Sequence, residues 1–350
     1  MKKLLFTLFI LILAGLGGVA VYVRSELQKP YPETAAAVFI EIPHGMRARD
    51  VVGLLRDKNV MRNEYPALAY IWYSGNRHKL QAGEYLFDRP MTPVDVISRI
   101  VSGNVYLHKF TVPEGLTLAE TAEKWRDQGF GTAESFQQAA GESVTLIQDL
   151  DPKAQSLEGY LFPETYYFPA HTPPRKAIEA MVGRFKSMLS RLDQEFPPTQ
   201  RLLSLRETII LASLVESEAV HEDERPVVAS VYLNRIQKKM LLQCDPTVIY
   251  ALEKEARYNG KLTRADLKFQ SPYNTYVNAG LPPGPIMNPG FPSMRAAVQP
   301  ASTKHLYFVR TVEGRHTFSD NLAAHNRAVA AYRAMQRGER TERKSDRAQP

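Results

Sequence analysis

The pattern of apolar and polar positions changes period several times along the chain. Lys2 and Lys3 precede an uncharged run from Leu4 to Val23 that Arg24 closes. Such a run matches the roughly 20 apolar residues a helix needs to cross a hydrocarbon core. Residues 25–37, with Pro30, Pro32 and the Ala35 to Ala37 run, read as a linker. From residue 38 the period shortens: Val38 to Ile42 predicts a strand, Pro43-His44-Gly45 a turn, and Val51, Val52, Leu54 and Leu55 a helix. A second helix is expected from Glu64 to Ser74 and a strand over Gly83 to Phe87. Thr92 then stands as N-cap, with Pro93 at the first helical position ahead of Val96, Ile97 and Ile100. The order over residues 38–108 is therefore strand, helix, helix, strand.

A weak echo follows at Phe110 to Trp125, where Pro113-Glu114-Gly115 leads into a helix as Pro43-x-Gly45 does. Glycine permits the tight strand-to-helix turn at both places. Residues 134–198 read as mainly helical, interrupted by the aromatic run Gly159 to Phe168. That run could floor a sugar groove or form a core strand beside a loop. Leu205 to Val220 predicts a helix whose apolar stripe can be placed by angle. At about 100° per residue from Ile210, the stripe centres near about 70° and Glu218 falls at about 80°. Glu216 falls at about 240°, where a solvated or ion-paired carboxylate belongs. An unpartnered carboxylate in the buried stripe holds its proton to a higher pH, as a general acid near neutrality requires. The plainer alternative is that the helix ends by Ser217 and Glu218 leaves the core.

Composition narrows the chemistry. The formal charge is +7, but five basic residues are bunched in Arg337 to Pro350, read as a solvated basic tail over 336–350. Nothing in the sequence resembles a nucleic-acid module, so no nucleic acid is expected as partner. The single cysteine, Cys244, excludes an intramolecular disulfide. No metal or cofactor is expected, because His221-Glu222 lacks a second histidine four residues on. There is no Gly-x-Ser-x-Gly elbow and no phosphate loop. Length and flanking charge favour an uncleaved anchor over a signal peptide, although Gly18-Val19-Ala20 passes for a cleavage site. With the lysines held inside, the rest of the chain would lie on the extracytoplasmic face of the inner membrane.

Several polar-aromatic stretches could furnish a sugar site: Tyr232-Leu233-Asn234-Arg235, Gln243-Cys244-Asp245-Pro246-Thr247, Tyr273-Asn274-Thr275-Tyr276 and His316-Thr317-Phe318. Together with Leu211 to Glu218, in this order, they resemble the YceG-like family of endolytic murein transglycosylases. The resemblance runs from the anchor to about residue 335 and implies an α+β chain. Its parts would be a transmembrane anchor over 1–24, a LysM-like βααβ module over 38–108 and a mixed α/β catalytic domain over 109–335. The last is expected to be distantly similar to lysozyme-type transglycosylases.

The implied reaction is non-hydrolytic cleavage of the β-1,4 bond between N-acetylmuramic acid and N-acetylglucosamine, leaving a 1,6-anhydro end. Glu218 maps onto the catalytic position, the second of two glutamates one residue apart. Tyr273 and Asn274 would orient it or the acetamido group. Gln243, Asp245 and Thr247 would line the groove, with Asn234, Tyr276 and His316 as further substrate-binding candidates. Peptidoglycan synthases are the partners the resemblance implies. Two departures, Ala219 for the usual Thr and Cys244 for Thr or Ser, alter local hydrogen bonding. Two rivals stand beside this reading: a non-catalytic glycan-binding or division scaffold, and a hydrolytic muramidase with Glu164 or Asp245 as second carboxylate.

Overall fold

The computed structural model describes residues 2–31, 37–311 and 314–346. They form a mixed α and β chain that divides into two compact units, residues 1–109 with 167–172, and residues 110–166 with 173–350.

The first unit opens with α1 (Lys2–Gln28), long and apolar enough to cross a membrane. It continues past Arg24 into the expected linker, of which residues 32–36 lie outside the described residues. There follow β1 (Val38–Ile42), α2 (Ala48–Asp57), α3 (Glu64–Tyr73), β2 (Gly83–Phe87) and α4 (Pro93–Val101). β1 and β2 pair antiparallel, with Ile40 opposite Tyr85 and Ile42 opposite Gly83. Alternation aims Ile40, Ile42, Tyr85 and Phe87 into one core with Val51, Val52 and Leu55 of α2, Ile71 of α3, and Val96, Ile97 and Ile100 of α4. Each such side chain contributes about 1.5–3 kcal/mol by leaving water. Truncating Ile40 to alanine would cost about 2–5 kcal/mol. Asn63 caps α3 by accepting from Tyr65 N, and Thr92 caps α4 by accepting from Asp95 N. Gly45 takes φ +80°, which opens the turn into α2.

β3 (Leu107–Thr111) pairs with β4 (Thr165–Pro169), and the division between the units falls within both strands. Between them lie α5 (Leu118–Asp127) and α6 (Ala133–Glu142). Gly115, at φ +79°, repeats the role of Gly45 ahead of α5. The aromatic run proves to be core and strand: Tyr160, Leu161 and Phe162 are buried, and only Tyr167 stands well exposed. The rest of the second unit is α7 (Pro174–Glu195), α8 (Leu205–Glu218), α9 (Arg225–Gln237), α10 (Asp245–Lys254), α11 (Phe291–Val298), the hairpin of β5 (Tyr307–Arg310) and β6 (His316–Ser319), and α12 (Leu322–Asp346). α12 runs past the boundary expected at residue 335, and residues 347–350 of the expected tail lie outside the described residues.

α8 positions the site. Ser204 and Glu207 form a reciprocal capping box at its start, and α9, α10 and α11 pack around it. Every residue from Thr208 to Val215 is buried. The one-sided stripe expected from the sequence is thus a helix enclosed on all faces. Glu216 correspondingly lies inside the protein, where its carboxylate meets Arg225 Nη1 at 2.9 Å and accepts from Gly290 N at 3.0 Å. Of the two environments expected for Glu216, ion-paired or solvated, the ion pair is found.

Candidate active site

Glu218 is the last residue of α8, and the extended Ala219 ends the helix. The side chain is half-buried. Protein packs around its carboxyl, and this desolvation, aided by the nearby charge of Asp245, raises the pKa to about 7. A carboxylate there would also face the negative end of the α8 dipole. Two donors oppose the shift. Tyr232 Oη, from α9, approaches Glu218 Oε1 at 3.5 Å, and Cys244 Sγ, just ahead of α10, at 3.6 Å. The Tyr232 contact is long and the Cys244 thiol is a weak donor, so desolvation prevails. Burial also holds the Tyr232 hydroxyl and the Cys244 thiol well above their ordinary pKa, which keeps both as neutral donors. Both fall on Oε1. Among the described residues no donor occupies Oε2.

The structure brings some of the expected site residues to Glu218. Asp245 lies close enough for its charge to raise the Glu218 pKa, and it accepts a hydrogen bond from Tyr276 Oη. Burial and the Asp245 charge push the Tyr276 hydroxyl up in turn. Gln243 is exposed on the loop between α9 and α10 and sits at φ +51°, a conformation that costs a non-glycine residue energy. Its backbone N–H donates to Thr275 O, and Arg235 binds the carbonyls of Leu241 and Leu242, so that the strained loop is held.

Others serve elsewhere. Thr247 is fully buried and spends its hydroxyl on Cys244 O and Thr275 Oγ1. It fixes the Cys244 turn from behind and lines no groove. Asn274 is also fully buried: Nδ2 donates to Leu267 O and Phe269 O, and Oδ1 accepts from Tyr276 N. It holds its loop and makes no bond to Glu218. The Tyr273 ring packs on Tyr250, 5.0 Å away, beside Glu158. Asn234 donates to Thr303 O and His305 O. His316 is enclosed with Glu224, its Nδ1 2.8 Å from Oε2, and its ring meets Phe308 edge-on, as Tyr232 does. His316 therefore supports the Tyr232 wall through Phe308. Glu164, once a candidate second carboxylate, is paired with Arg184 at 2.7 Å.

Tyr232 lies in the Tyr232–Arg235 stretch read from the sequence but was given no role of its own there, and Arg310, whose charge acts on Glu218, was not singled out. Two other residues carried no signal at all. Asn288, fully buried, accepts from Gly159 N and Leu161 N and donates to Leu116 O, joining three segments. Glu158, also buried, accepts from Leu118 N and Tyr250 Oη, and burial raises its pKa to about 7. No cluster of three metal-ligating side chains occurs among the described residues.

The sequence pattern of the YceG-like family matches residues 40–331, most of the chain. The chain belongs to the YceG-like family. Among its relatives is the endolytic murein transglycosylase of Bacillus subtilis (strain 168), 33% identical over 335 residues, covering 91% of this chain and 91% of that protein. The endolytic murein transglycosylase of Streptococcus pneumoniae (strain D39) is 29% identical and covers 89% of this chain, which spans 61% of its length. A crystal structure of a YceG-like protein from Listeria monocytogenes superposes with a TM-score of 0.57 at 31% identity, covering 84% of this chain and all of that one. Family membership thus joins a half-buried, proton-holding carboxyl to relatives whose names state a glycan-cleaving activity.

Proposed function

We propose that this chain is a membrane-anchored endolytic murein transglycosylase with Glu218 as its acid and then its base. The observation that carries this reading is the Glu218 carboxyl, desolvated, donor-bound on Oε1 and with no donor on Oε2 among the described residues, in a YceG-like chain. Glu218 donates its proton to the glycosidic oxygen as the bond to the muramyl C1 breaks. The resulting carboxylate takes the proton of the muramyl C6 hydroxyl as O6 closes onto C1. The proton count balances, water is not consumed, and a 1,6-anhydro end results. A carboxyl with a pKa near neutrality suits both steps, since it gives and retakes a proton at little cost.

Asp245, Tyr276 and Gln243 would line the glycan groove around Glu218 and Asn234 and His316 would brace it, a reading supported by the Asp245 charge on Glu218 and the Tyr276–Asp245 hydrogen bond. The βααβ order of the first unit supports a LysM-like glycan-binding module, and the second unit is read as a catalytic domain distantly related to lysozyme-type transglycosylases. α1 serves as an uncleaved anchor with the remaining chain on the extracytoplasmic side, where peptidoglycan synthases build the substrate. Mass spectrometry of glycan strands digested by the purified protein tests the chemistry. Anhydro ends are expected. Reducing ends would make the chain a muramidase, and uncut strands a glycan-binding scaffold.

A further inference from the structure

The first unit carries a cleft of about 970 Å³, at the upper end of the roughly 300–1,000 Å³ found for small-ligand sites. The Pro43 to Arg49 segment, Trp72, Arg77, His78 and Leu80 to Ala82 line it. Buried apolar residues of α2 and α3 floor it. Its charge sets it apart from the rest of the chain. Among the described residues the lining includes His44, Arg47, Arg49, Arg77 and His78 and no aspartate or glutamate, whereas the whole sequence has 44 basic and 37 acidic residues. No carboxylate among the described residues engages the three arginines. Asp50, the acid in the first turn of α2, does not line the cleft, and Glu41 is paired with His171 at 3.2 Å. Arg47 opens α2 without a side-chain cap, which adds the positive end of that helix to the same field. Trp72 is 77% exposed at the rim. A large ring so placed can stack on the apolar face of a pyranose.

We propose that this cleft binds anionic glycan, taking the carboxylate-bearing muramyl-peptide repeat in preference to neutral N-acetylglucosamine polymers. The proposal rests on the reading of the first unit as a glycan-binding module and adds where the glycan sits and which charge it must carry. Guanidinium groups pair with carboxylates through two parallel hydrogen bonds. Peptidoglycan supplies carboxylates on the peptide stems attached through the muramyl lactyl group, and Trp72 supplies a platform for the sugar between them. A neutral strand would displace water from three guanidinium groups and return only neutral acceptors, whose hydrogen bonds are weaker than those of carboxylates. Charge on the stems is therefore the selected feature.

The test uses full-length Glu218→Gln protein in detergent micelles, with the fluorescence of Trp72 as readout. The other tryptophan, Trp125, is fully buried in the second unit and gives a constant background. Three probes are titrated: soluble uncrosslinked peptidoglycan strands, the same strands with stem carboxylates amidated, and chitohexaose. Native strands should bind about tenfold tighter than the other two, a preference that weakens with added salt and disappears in Arg47→Gln/Arg49→Gln/Arg77→Gln. Among the described residues these arginines have no carboxylate partner to lose, so the triple variant should keep its fold, which circular dichroism checks. Equal affinity for native and amidated strands, or a preference that survives in the triple variant, would overturn the proposal and leave the glycan-binding reading standing. If no glycan perturbs Trp72, both fall.

Discussion

Replacing Glu218 with glutamine should stabilise the protein above neutrality and change little in acid. Glutamine is close in shape to a protonated glutamate and keeps an acceptor for Tyr232 and Cys244. The folded-state pKa is raised from 4.5 to about 7, so the folded chain holds this proton more tightly than the unfolded one. The stability it supplies is complete below about pH 4.5 and is lost as pH rises through about 7. The 2.5-unit difference corresponds to roughly 3.4 kcal/mol at 1.36 kcal/mol per unit, or about 2–3 kcal/mol after allowing for the partial exposure of the side chain. Glu158 titrates in the same window, but it is present in both proteins and cancels from their difference. Urea unfolding followed by Trp125 fluorescence, in a Trp72→Phe background, reports the second unit alone. The variant should gain about 2–3 kcal/mol over the parent at about pH 8 and almost nothing at about pH 4.5. A difference that stays constant across that range would refute the desolvation argument.

Three further outcomes follow from named contacts. kcat/KM on glycan strands should decline about tenfold per pH unit above about 7, because only the protonated Glu218 can donate to the glycosidic oxygen; a flat profile to about pH 9 would rule out Glu218 as the acid. Tyr232→Phe removes a donor that favours the Glu218 carboxylate, so the alkaline limb should move to higher pH while kcat drops by about tenfold; an unmoved limb would show that the 3.5 Å contact is without effect. Arg225→Met strands the Glu216 carboxylate inside the protein and should cost about 3–5 kcal/mol in urea unfolding at neutral pH, of which adding Glu216→Gln recovers part.

Local period and capping made much of the fold legible. The strands Val38–Ile42 and Gly83–Phe87, and the Thr92-Pro93 start of α4, are encoded within a few residues of themselves. What escaped reading depends on distant partners. A stripe of leucines and isoleucines cannot reveal that α9, α10 and α11 also cover the far side of α8, which is why Glu216 is an enclosed ion pair. Glu218 stood out by its position among apolar residues, and its carboxyl is indeed desolvated. The groups that touch it come from residues 14 and 26 positions away, with nothing in the spacing to announce them. Thr247, Asn274 and His316 belong to the segments expected to furnish the site, yet their polar atoms are spent on holding loops rather than on Glu218. A polar residue looks the same in sequence whether it faces a ligand or a backbone carbonyl.

The central claim is that Glu218 moves the proton. Purified wild type and Glu218→Gln, digested side by side with isolated glycan strands at about pH 6, test it most directly. Wild type should release cut strands, and the variant should be slower by at least about 10²–10⁴-fold, the range expected for a lost general acid. Equal release of product by the two proteins would contradict the account.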